Sequence, residues 1–186
     1  MIDIKRNRRR ATGIAAASAL CAIATFAVAQ SGDLARAESA LQARRFDEAA
    51  RILGPLAAAG DPVAQLRLGT LHYLGRGVPE DEGKAFDWTS RAARHGLRDA
   101  QFQLAKMYTF RQGVPASEAD PDLQAAIWYF RAASQGHAEA QYSLGLMFII
   151  GKGVEQNMAE AGKWMRRAAE QGFEAARAFP VDNAQR

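Results

Sequence analysis

One period governs the chain beyond residue 60. Gly60, Gly96, Gly136 and Gly172 follow one another at spacings of 36, 40 and 36 residues. Ala64-Gln65, Ala100-Gln101 and Ala140-Gln141 recur at 36 and 40, and Trp88, Trp128 and Trp164 at 40 and 36. The pairs Ala92-Ala93, Ala132-Ala133 and Ala168-Ala169 keep the tryptophan spacing. These two orders of spacing place four extra residues between Val114 and Trp128, in the stretch Pro115 to Asp122. A unit of this size is one supersecondary element that buries its apolar face only against its neighbours, so such a chain has to stack.

Each unit reads as two helices. The first carries Ala64, Leu68-Gly69 and His72, then Ala100, Leu104-Ala105 and Tyr108, then Ala140, Leu144-Gly145 and Phe148. Steps of four put these on one helical face. The small residue (Gly69, Ala105 or Gly145) admits a close neighbour. The helix ends at Gly75-Arg76-Gly77-Val78 and Gly151-Lys152-Gly153-Val154, where glycine suits the left-handed residue after a helix. The middle copy reads Arg111-Gln112-Gly113-Val114, and because Arg111 would be strained in that conformation, a different turn is expected there. Asp81, Asp120 (followed by Pro121) and Asn157 are suited to cap the second helix. That helix presents Ala85, Trp88 and Ala92 and their counterparts Ala125, Trp128, Ala132 and Ala161, Trp164, Ala168.

The expected organisation is a hairpin over 34–60, repeats over 61–96, 97–136 (with the insertion) and 137–172, and a capping helix and tail over 173–186. Leu41, Phe46, Ala49, Ile52 and Leu53 form the apolar stripe of the first hairpin. A helix starting at Phe173 is expected to stop at Pro180. No run of alternating β-branched residues signals a strand.

The N-terminus is of another kind. Lys5, Arg6, Arg8, Arg9 and Arg10 precede an apolar, alanine-rich run from Ala11 to Ala29, which closes on Ala27-Val28-Ala29. A basic head, an apolar run and an Ala-x-Ala exit are the parts of a secretory signal peptide, which places cleavage after Ala29 and a short linker at 30–33. The expected location is periplasmic or secreted. An uncleaved membrane anchor is the alternative, though the run is weakly hydrophobic for a span. Arg9-Arg10 suggests the twin-arginine route, but Ala11-Thr12-Gly13 lacks the apolar pair expected after it. Leu20 before Cys21 argues against a lipoprotein, and Cys21 is the chain's single cysteine.

Removing residues 1–29 changes the charge. The whole chain has 24 Lys+Arg and 20 Asp+Glu, a net charge of +4. Residues 1–29 hold five of the former and one of the latter, which leaves 19 of each. A balanced chain gives no support to nucleic-acid binding, which needs a basic patch against phosphates.

The pattern Ala-Gln-x-x-Leu-Gly-x-x-aromatic-x-x-Gly-x-Gly-Val, followed by Asp, Ala, Trp, Ala-Ala and Gly, resembles the Sel-1-like repeat, a relative of the tetratricopeptide repeat. Residues 61–172 carry it in three copies, while Leu34 to Ala59 is more similar to a plain tetratricopeptide hairpin. Departures are His72 at a Tyr position, Ala105 and Arg111 at Gly positions, and the insertion near Ser117. The resemblance implies an all-α fold, a right-handed α-solenoid of antiparallel helical hairpins acting as an adaptor for other proteins. It also implies a groove lined from the first helix of each repeat. Carried onto this sequence, that groove is Leu66, Thr70, Tyr73 and Leu74; Phe102, Lys106, Thr109 and Phe110; and Tyr142, Leu146, Ile149 and Ile150. So apolar a face suits a peptide or helix partner, with Phe102, Phe110 and Tyr142 as expected anchors, exposed in the free protein.

Chemistry is harder to find. His72, His95 and His137 form no zinc-type spacing; His72 falls in a core slot, and the other two flank the repeat-closing glycines. Gly75-x-Gly77 lacks the third glycine of a nucleotide loop, and no Gly-x-Ser-x-Gly elbow occurs. Glu80, Asp81 and Glu82 are an acidic cluster at a helix start, where they suit the helix dipole. The leading expectation is therefore a non-catalytic periplasmic adaptor for a protein or peptide, with no metal and no cofactor. The alternatives are an envelope enzyme of the cell-wall hydrolase kind and a structural component of a polysaccharide secretion assembly.

Overall fold

The computed structural model describes residues 32–178. The expected signal peptide and cleavage site, Cys21 and the expected stop at Pro180 lie outside the described residues. Among the described residues every regular element is a helix: α1 (32–42), α2 (Phe46–Ala58), α3 (Pro62–Leu74), α4 (Glu82–Arg94), α5 (Arg98–Phe110), α6 (Pro121–Ser134), α7 (Ala138–Ile150), α8 (Met158–Glu170) and the short α9 (Glu174–Arg177). From α2 onward each helix packs on the next in sequence, which is the geometry of an α-solenoid of antiparallel hairpins.

Local chemistry sets each boundary. Asp81, Asp120 and Asn157 accept the backbone N–H of Lys84, Leu123 and Glu160 at 2.8, 3.0 and 3.0 Å, as their positions before the second helices require. Gly75, Arg111 and Gly151 all end the first helices in the left-handed conformation, with φ near 58°, 58° and 67°. In all three turns the next N–H reaches back five residues, from Arg76, Gln112 and Lys152 to Leu71, Met107 and Met147. The expected exception at Arg111 is thus corrected: the middle turn has the same path. Its guanidinium pairs with Asp122 at 3.1 Å and reaches the Tyr108 carbonyl at 3.4 Å, which offsets the cost of a left-handed non-glycine residue.

The second glycine of each turn locks one hairpin to the one before. A Cβ on Gly77, Gly113 or Gly153 would overlap the backbone of Phe46, Glu82 or Asp122, respectively, at the start of the preceding second helix. A ladder of amides makes the same connection deeper in the stack. Buried Gln65, Gln101 and Gln141 donate Nε2 to the carbonyls of Ala57, Ala93 and Ala133 at 3.1, 3.2 and 3.1 Å. Gln135 and Gln171 then donate to the Oε1 of Gln101 and Gln141, both at 2.7 Å. Gln65 Oε1 is buried without a partner, because His95 stands where the other repeats have glutamine.

The apolar interior follows the repeat. Ala85, Ala92, Ala125, Ala132, Ala161 and Ala168 are sealed, and Trp128 and Trp164 are buried beside them. An arginine three residues after each tryptophan covers its ring, Arg91, Arg131 and Arg167 lying 4.4–4.7 Å from the ring centres. Gly69 meets Thr89 and the Ala85 carbonyl so closely that a Cβ would press on both, which accounts for the small residue at that position.

Candidate partner-binding groove

The first helices share one register, so residues around each small position fall on a common face. Between α3 and α5 that face opens into a cleft of about 400 Å3. Leu66, Thr70 and Tyr73 line it from α3, and Gln103, Lys106, Met107 and Phe110 from α5. Gln112 closes one end by donating Nε2 to the Tyr73 hydroxyl at 2.7 Å. Gly69, Ala85 and Thr89 complete the lining. Phe110 is 63% exposed, Tyr73 37%. The Thr70 hydroxyl donates to the Leu66 carbonyl at 2.9 Å and so is held by its own helix.

Five residues expected in the groove therefore meet in the cleft: Leu66, Thr70, Tyr73, Lys106 and Phe110. Leu74 is exposed beyond its edge, and Leu146 and Ile150 carry the exposed apolar surface onto α7. Thr109 is half-buried and bonds the Ala105 carbonyl and the Tyr129 hydroxyl. Tyr142 and Ile149 are half-buried against the C-terminal cap, where the Phe173 ring stands 5.1 Å from that of Tyr142.

Phe102 requires a correction. It is 4% exposed, stacked on His137 at 4.2 Å and tilted against Tyr129 at 6.0 Å. Its ring is part of the core and supports Lys106, whose Nζ lies 5.5 Å from the ring centre. Gln103, Met107 and Gln112 line the cleft beside Gly69, Ala85 and Thr89 without being among the expected groove residues. For Gln112 the available signal was its turn position, shared with Arg76 and Lys152, from which a long side chain reaches the neighbouring repeat.

His72 and His137 serve the fold, whereas His95 is exposed. His72 is buried, with Nδ1 3.3 Å from the Pro79 carbonyl. A depression beside it also touches Asp87, Trp88 and Arg91, so a histidine and a carboxylate do share a recess. His137 caps α7, its Nδ1 accepting the Ala140 N–H at 3.2 Å. Burial holds its pKa below the ordinary imidazole value, against the opposing pull of Asp99. Burial likewise raises the pKa of the Tyr129 hydroxyl. Among the described residues no group of three or more His, Cys, Asp or Glu is placed to hold a metal ion, and no helix is long and apolar enough to cross a membrane.

The Sel1 repeat matches residues 62–97, 98–137 and 138–173, which is more than half of the chain. The chain belongs to the Sel1 repeat family. These copies begin one residue later than the boundaries read from the spacing of glycines. Sel1 repeats form a scaffold that commonly serves protein–protein interaction and is generally non-catalytic. Among solved structures, the chain is similar to c5321, described as a protective antigen present in uropathogenic Escherichia coli strains. Identity is 39% and the TM-score 0.63, over 68% of this chain and 26% of that one. It is similar also to a Sel1 repeat protein from Oxalobacter formigenes, with 33% identity and a TM-score of 0.69 over 76% of this chain and 56% of that one. The chain thus spans less than two thirds of either protein. Cysteine rich protein B of Helicobacter pylori shares the fold, at 21% identity and a TM-score of 0.53 over 70% of this chain and 93% of that one. No curated protein matches the chain significantly.

Proposed function

We propose that this chain is a non-catalytic adaptor that holds a protein or peptide segment on a concave face lined by the first helix of each repeat. It works in the periplasm or outside the cell, in envelope regulation or secretion. The observation that carries the reading is the cleft between α3 and α5. There the exposed rings of Phe110 and Tyr73 flank an otherwise preformed recess on a scaffold whose relatives commonly bind proteins. Aromatic side chains at the centre of such a recess are typical anchors for a partner. The export half rests on the basic head, the apolar run and the Ala-x-Ala exit at Ala29. The His72 recess gives less support to an enzyme, since the ring faces a backbone carbonyl and the depression holds a single carboxylate, Asp87, beside Lys84 and Arg91, where a glycoside hydrolase uses a pair.

A photo-crosslinking residue placed in intact cells at Phe110 or Leu146, and as controls at Asp87 or Lys163 on second helices, tests the face. Capture of the same protein from the first pair and not from the second is the expected result. Equal capture from both pairs, or none from the first, overturns the reading. Intact mass of the exported protein is expected to begin at Gln30. Recovery of full-length chain, or of a lipid on Cys21, overturns the export half.

A further inference from the structure

We infer that the cleft between α3 and α5 takes an extended peptide in which a carboxylate side chain stands two residues from a large apolar one. The carboxylate meets Lys106, and the apolar group covers Phe110, Leu66 and Tyr73. This rests on the reading of the face as a binding surface and names the chemistry it selects.

The sign of the charge comes from one residue. Lys106 is the only charged side chain lining the cleft. Every other lysine among the described residues has an acidic partner: Lys84 pairs with Asp81, Lys152 with Asp122 and Lys163 with Glu160. Lys106 has none there and rests on the Phe102 ring. Lys106 is half-buried in a recess of mixed polar and apolar lining, and a partly desolvated cation attracts an anion more strongly than one on open surface. The remaining polar groups do not choose a charge. Thr70 is bound to its own helix and Gln112 to Tyr73, and Gln103 is a neutral amide.

Spacing sets the sequence of the partner. Lys106 and Phe110 are one helical turn apart, about 6 Å along the axis. In an extended segment, side chains on the same side recur about every 6.6 Å. An acidic and an apolar residue separated by one position therefore span both contacts without strain. One lysine also suits one carboxylate better than a run of phosphates, which needs several cations.

The probes are four pools of labelled octapeptides, measured by fluorescence anisotropy with the intact chain. Their fixed residues are Glu-x-Leu, Gln-x-Leu, Lys-x-Leu or Glu-x-Ser in either order, and the other positions are randomised without charged residues. The Glu-x-Leu pool is expected to bind about tenfold or more tighter than the others, a difference of about 1.4 kcal/mol. Its advantage over Gln-x-Leu shrinks in about 0.5 M salt. Lys106→Met removes the Glu-over-Gln preference and keeps Leu over Ser, Lys106→Arg retains both, and Lys106→Glu turns the preference to Lys-x-Leu. Circular dichroism confirms that each variant keeps the helical content of the parent. Equal binding of the Glu and Gln pools, survival of the preference in folded Lys106→Met, or no binding by any pool overturns the inference. The adaptor reading is then judged separately, by the crosslinks from Phe110 and Leu146 in cells.

Discussion

Phe102 and Phe110 lie two turns apart on α5 and do opposite work. The first is sealed by Tyr129 and His137, the second is open to solvent. Phe102→Ala is expected to cost about 3–5 kcal/mol of stability, as truncation of a buried aromatic does. Phe110→Ser is expected to leave stability within about 0.5 kcal/mol while weakening partner capture by about 2 kcal/mol or more. Urea melts and a pull-down on the two variants separate them, and equal stability losses would reject the division. The offset along the helix was legible in the sequence. Burial of Phe102 was not, because it is decided by rings brought from α6 and from the cap of α7. His137 adds a pH dependence. Its imidazole is depressed by burial and accepts an N–H, so the folded state prefers it neutral. The stability this gives is fully present above about pH 6.5, the ordinary value, and is lost as pH falls through the lower folded value. His137→Asn keeps a capping acceptor and should flatten the profile between pH 7.5 and 5, measured by urea midpoint. An unchanged slope would mean that another group sets it.

At the scale of elements, the turns and the amide ladder decide how hairpins join. Gly113 and Gly96 both have positive φ, but a side chain on Gly96 meets nothing within 4 Å, whereas one on Gly113 overlaps Glu82. Gly96→Ala thus isolates the backbone cost, about 1 kcal/mol. Gly113→Ala should lose at least about 2 kcal/mol more, through displacement of α4 from the turn. Matching midpoints for the two variants would show that the hairpins do not interlock there. The ladder suggests a gain in the opposite direction. His95→Gln supplies the missing donor to Gln65 Oε1 and is expected to stabilise the protein by about 1 kcal/mol; a variant no more stable than the parent counts against the ladder. Helix boundaries were readable from Asp81, Asp120 and Asn157, since a cap is a local event. The path at Arg111 was not, because propensity disfavours it and the guanidinium contacts with Asp122 and the Tyr108 carbonyl that offset the cost form only on folding.

For the whole molecule, contacts run between sequence neighbours, so stability is close to a sum over hairpins and their junctions. Damage at the centre breaks two junctions, and damage at an end breaks one. Trp128 is in the central cluster with α5, α6 and α7, while Phe173 belongs to the small C-terminal cluster. Trp128→Ala should lose about 3–5 kcal/mol of a total of roughly 5–15 and Phe173→Ala markedly less. A loss below about 1 kcal/mol for Trp128→Ala in urea would contradict a central role. The stacked fold was legible because a period survives substitution of single residues. How much of the groove is open was less so, since the cap closes over Tyr142 and Ile149 from beyond the last repeat.

The interlocking turns also give the stack a direction. Phe46, Glu82 and Asp122 each receive a glycine turn from the following hairpin. Met158 occupies the same place at the start of α8, and it is 37% exposed, with no such turn upon it among the described residues. Duplication of a unit of 36 residues ahead of Phe173 would find its seat already made. The stack can therefore lengthen by whole hairpins, with the junctions among earlier hairpins intact and only the seat of Phe173 on Tyr142 given up to the new unit. The four-residue insertion within 115–122 is of a different sort, since Gly113 still reaches Glu82 ahead of it. Loops here can drift by single residues, whereas reach changes only in units.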